Sequence, residues 1–83
     1  MEGLIRELLQ AIPREAAQDD RFSFAVDTIY QDVCFSFDGE MRSYGATYIA
    51  ERYIDKGMIP AGARAQLINL IEYLLKLSSH EDE

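Results

Sequence analysis

The sequence predicts a mainly α-helical fold, a small bundle of about four helices. Three observations carry that expectation. Apolar residues recur at helical spacing through residues 2–12, 44–56 and 61–77. Gly57 and Pro60 stand between the last two segments as a stop and a restart. The chain has 83 residues, enough for one thin core. The expected division is therefore a single helical domain over 1–77 and a short acidic C-terminal tail over 78–83.

In residues 2–12 the stripe is Leu4, Ile5, Leu8, Leu9 and Ile12, and Glu2 suits the positive end of a helix. Pro13 ends the pattern or opens the next helix at its first turn. The polar run REAAQDDR, 14–21, reads as a helical turn or a linker, with Asp19 or Asp20 placed to cap the next segment.

The stretch FSFAVDTIYQDVCFSF, 22–37, carries two patterns. As a helix it aligns Phe22, Val26, Ile29, Tyr30, Val33 and Phe37, and Gly39 then supplies a left-handed stop. As strands it alternates Val33, Phe35 and Phe37 before Asp38-Gly39, a favoured hairpin turn. The helix is preferred because one stripe explains six residues without an extra turn. The alternative is an α+β fold with a short β-hairpin near 33–44.

Residues 44–56 place Ala46, Ile49, Ala50, Tyr53 and Ile54 inward, with Ser43 as the expected cap. Met58 and Ile59 should fold back over the corner after Gly57. In 61–77, Ala63, Leu67, Leu70, Ile71, Leu74 and Leu77 share a side, and Ile68 and Leu75 widen the apolar arc to roughly 180°. That width serves two neighbours, inside the chain or in a second copy.

Charge limits the function. Fifteen Asp and Glu against eight Lys and Arg give a formal net of −7, a field that repels polyanions and attracts basic proteins. The segment 46–76 has the outline of a helix-turn-helix, yet its second helix offers only Arg64, Gln66 and Asn69 in its first half, with no basic patch beside them. No direct nucleic-acid binding is expected. No apolar run approaches the roughly 18 residues that span a bilayer, and MEGLIRELLQ lacks the apolar core of a signal peptide. The single cysteine, Cys34, fits a reducing compartment, and the expected setting is cytoplasmic without membrane contact.

No catalytic, metal or cofactor site is expected. Glu51 and Asp55 share a helix face, a common arrangement on solvated helices; Glu72 and Lys76 make an ordinary surface pair. His80, the one histidine, stands in the acidic tail with nothing to orient it. Cys34 sits among Val33, Phe35 and Phe37, which favours an inert buried thiol.

The aromatic residues point elsewhere. On a helical wheel Phe24 and Phe35 fall away from the apolar stripe, roughly 16 Å apart at 1.5 Å per residue. A hairpin would turn Phe35 inward and remove that anomaly. Tyr44 and Tyr48 also leave the inner face of their helix, on the side of Glu51 and Asp55. Aromatic anchors with an acidic rim suit binding of a basic protein. The expectation is a non-enzymatic acidic protein-binding module, an inhibitor or regulator of a basic or nucleic-acid-handling protein. Tyr44, Tyr48, Glu51 and Asp55 are its first candidate contacts, then Phe24 and Phe35. The alternative is a homo-oligomeric structural or scaffold subunit, paired as a homodimer through the 61–77 helix.

Overall fold

The computed structural model describes residues 2–17 and 20–79. Among these the fold is all helical, with no strand. The four longer helices are α1 (Glu2–Gln10), α3 (Asp20–Gln31), α5 (Gly45–Asp55) and α6 (Arg64–Ser79). Short turns of helix, α2 (Arg14–Ala17) and α4 (Gly39–Ser43), join them. The expected acidic tail beyond Ser79, with His80, and the candidate cap Asp19 lie outside the described residues. Asp20 is the first residue of α3 rather than a residue preceding it.

The helix expected over 22–37 forms, with a change of pitch. α3 runs into a π-helical turn, Asp32–Ser36, and the Phe37 N–H closes it on the Asp32 carbonyl at 2.8 Å. The hairpin near 33–44 does not form. Phe37 and Asp38 are extended, and Asp38 begins a new helix by accepting the Met41 N–H at 2.8 Å. Gly39 is consequently the first residue of α4, neither a hairpin turn nor a left-handed stop. The aspartate beside it has captured the backbone as a helix N-cap.

Two other local expectations change. Ser43 does not cap α5; its hydroxyl donates to the Glu40 carbonyl at 2.6 Å, inside α4. The break between α4 and α5 rests on Gly45, whose φ of +90° is open to glycine and disfavoured for other residues. At the far end of α5 the expected stop is present in full. Gly57 is left-handed, its N–H donates to Ile54 O at 2.9 Å, and the Met58 N–H donates to Tyr53 O at 3.1 Å. This pair of bonds is a Schellman motif, which satisfies carbonyls that the helix end would orphan. Ile59 is then drawn into the core. Pro60 is extended and leads into a single 3₁₀ turn, Ala61–Ala63, so α6 starts at Arg64 rather than at 61.

The buried side chains form one apolar cluster around α6. Leu67, Leu70, Ile71 and Leu74 supply its centre, and Ile49, Ala50 and Tyr53 of α5 pack on them. Leu8 closes it from α1 and Ile12 from the turn that follows, Ile29 and Val33 from α3 and the π-turn. The wide arc of α6 is thus occupied inside the chain, by α5, α1 and the π-turn. Leu77, expected on the inner side, lies one turn beyond this packing and is exposed.

Arg42 ties the ends of the bundle together. Its Nη1 donates to Val33 O at 2.6 Å, and its Nη2 donates to Leu75 O at 2.9 Å and to Ser78 Oγ. The first acceptor lies in the π-turn and the others in the last turn of α6. A guanidinium suits this task because its planar fork presents several donors at once, and a cation is favoured at a helix C-terminus.

Candidate protein-binding surface

The residues singled out for binding divide between two helical faces. On α5, the core-facing positions Ala46, Ile49, Ala50 and Tyr53 leave Tyr48 pointing outward, and the Gly45 break sets Tyr44 beside it. Tyr44 is 52 % exposed and Tyr48 44 %. Their rings lie 4.6 Å apart between centroids, tilted by 31°, and the Tyr44 hydroxyl donates to Glu40 Oε1 at 3.4 Å. The two tyrosines stabilise each other and present a single aromatic plate to solvent.

The acidic rim expected around this plate is largely neutralised. Glu51 is paired with Arg64, which reaches it from the start of α6. Arg52 and Lys56 are interleaved with Glu51 and Asp55 along α5, and both are exposed. Glu40, Glu51 and Asp55 are matched by Arg52, Lys56 and Arg64, so the α5 face is aromatic but close to neutral. The pairing with Arg64 could not be read from sequence spacing, because it crosses the α5–α6 corner.

The other face belongs to α3 and the π-turn. Phe24 is 70 % exposed and Phe35 67 %, the highest values among the described large apolar side chains. The burial of Phe22, Ala25 and Ile29 forces this placement, since it turns the opposite side of α3 outward. Phe35 keeps an edge-to-face contact with Tyr30 at 5.9 Å between centroids. Two open clefts border α3, and Phe24 lines the first. One, of about 240 Å³, is bounded by Arg21, Ala25, Gly57 and Met58. The other, of about 270 Å³, runs between α1 and α3 and is lined by Ile5, Leu9, Phe22 and Val26, with Ser23 and Asp27 at its edge.

Charge is unevenly divided along the chain. Residues 1–38 carry eight acids and three bases, a formal −5. Residues 39–77 carry four acids and five bases, a formal +1, and the tail over 78–83 adds three acids. Beside α3 the charges are mixed, with Arg21 next to Phe24 and Asp27 at the other cleft, while Asp32 and Asp38 accept from Tyr53 and Met41.

Sequence reasoning missed one buried polar contact. The ring of Tyr53, 2 % exposed, is in the core, while its hydroxyl donates to Asp32 Oδ2 at 2.8 Å. Burial first, then this hydrogen bond and the charge of Asp32, push the phenol well above its usual pKa. It remains protonated near neutral pH and cannot act there as a base. Lys56 lies over the same ring, 5.9 Å from its centroid.

Other features offer less chemistry. Cys34, expected to be buried, is half-buried and borders an open cleft of about 350 Å³ with Phe37, Gly39, Arg42 and Ser78. Gln66 Oε1 is a buried acceptor without a hydrogen-bond partner, beside a polar cleft of about 330 Å³ edged by Glu7, Gln10 and Asn69. Among the described residues no three His, Cys, Asp or Glu side chains are grouped so as to hold a metal ion. No helix of the described residues is long and apolar enough to cross a membrane.

Comparison with known proteins adds no relative: no family model matches the chain, no curated protein matches it, and no solved structure matches its fold.

Proposed function

We propose that the chain is a non-enzymatic, acidic protein-binding module that regulates or inhibits a basic partner in the cytoplasm. The observation that carries this reading is the exposure of Phe24 and Phe35 on the acidic part of the chain. Solvated phenylalanines are poor choices for a helix surface that meets only water, and exposed apolar patches mark interaction sites. The net charge of −7 selects the partner's sign. A protein that itself handles nucleic acid presents such a basic surface, and occupying that surface inhibits it.

The reading as a homo-oligomeric scaffold draws less support. It rests on the wide apolar arc of α6, whose neighbours are supplied by α5, α1 and the π-turn. Two copies would also bring equal negative charges together.

The test is affinity capture by the tagged chain from native extract at about 50 and 300 mM salt, followed by quantitative mass spectrometry. A control replaces Phe24, Phe35, Tyr44 and Tyr48 by serine; all four are exposed, so the fold should survive. A stoichiometric basic protein, at least about tenfold depleted with the control and weakened by salt, supports the proposal. Equal recovery by both forms, or recovery of this chain alone, overturns it.

A further inference from the structure

We draw no further inference here: the strongest candidate, the outer surface of α3 and the π-turn with Phe24 and Phe35 exposed, carries none because nothing in the structure shows what covers it, its clefts offering charges of both signs in Arg21 and Asp27.

Discussion

Replacing Arg42 with methionine removes a guanidinium that serves three acceptors and keeps most of the apolar stem. The three losses are unequal. Ser78 Oγ still donates to Leu74 O at 2.9 Å and lies 3.3 Å from Leu75 O, so the last turn of α6 retains internal partners. Val33 O loses the donor at 2.6 Å, in a half-buried setting. A hydrogen bond from a charged group contributes about 1.5–3 kcal/mol, and a cation in the last helical turn adds about 0.3–1 kcal/mol. The expected destabilisation is therefore about 2–4 kcal/mol. With a urea m-value of about 1.5 kcal/mol per molar, the midpoint falls by about 1.3–2.7 M at unchanged m. Arg42→Lys should recover less than half of this, because an ammonium lacks the fork that reaches both acceptor groups. A midpoint for Arg42→Met within about 0.3 M of the parent would refute the view that Arg42 clamps α6 to the π-turn.

Local geometry sets the remaining expectations. Tyr53→Phe leaves the half-buried Asp32 carboxylate without that donor and should cost about 1–3 kcal/mol near neutral pH by urea denaturation. The raised pKa of Tyr53 fixes the sign of its alkaline effect. Its contribution is complete below about pH 10, where the unfolded phenol titrates, and falls above that by up to about 1.4 kcal/mol per pH unit; Tyr53→Phe should show a shallower decline between about pH 10 and 11.5. Gly45→Ala and Gly57→Ala should each destabilise by about 1–2 kcal/mol, because φ is +90° and +76° although a methyl group has room at both, whereas Gly39→Ala should be neutral or slightly stabilising. Phe24→Ser should change the thermal midpoint little, and Phe35→Ser should lose only its edge contact with Tyr30, about 0.5–1 kcal/mol.

The helices were legible because their signals are local and repeated. Leu67, Leu70, Ile71 and Leu74 announce α6 by spacing alone, and Lys56-Gly57-Met58 writes the end of α5 in three residues. The outward placement of Phe24, Phe35, Tyr44 and Tyr48 was legible for the same reason, since a residue opposite a strong apolar stripe faces water. Where two local signals competed, spacing was insufficient. Gly39 suits a turn, a stop or a helix start, and the preceding aspartate decided among them by bonding Met41 N–H. The contacts of Arg42 with Leu75 and Ser78 span 33 and 36 positions, and the pairing of Glu51 with Arg64 crosses a corner. No periodicity reports on such contacts, which exist only once the helices have packed.

The π-turn also makes chain length negotiable at one point. Its closing bond joins Phe37 to Asp32, five positions back, where an α-helical turn joins residues four apart. The turn thus holds one residue more than an ordinary turn would need. Deleting Cys34 would let α3 continue in α-helical pitch and deliver the chain to Asp38 in nearly the same orientation, with α4 and Arg42 undisturbed. Loss of one residue between α3 and α4 is the change of length that this turn is expected to absorb.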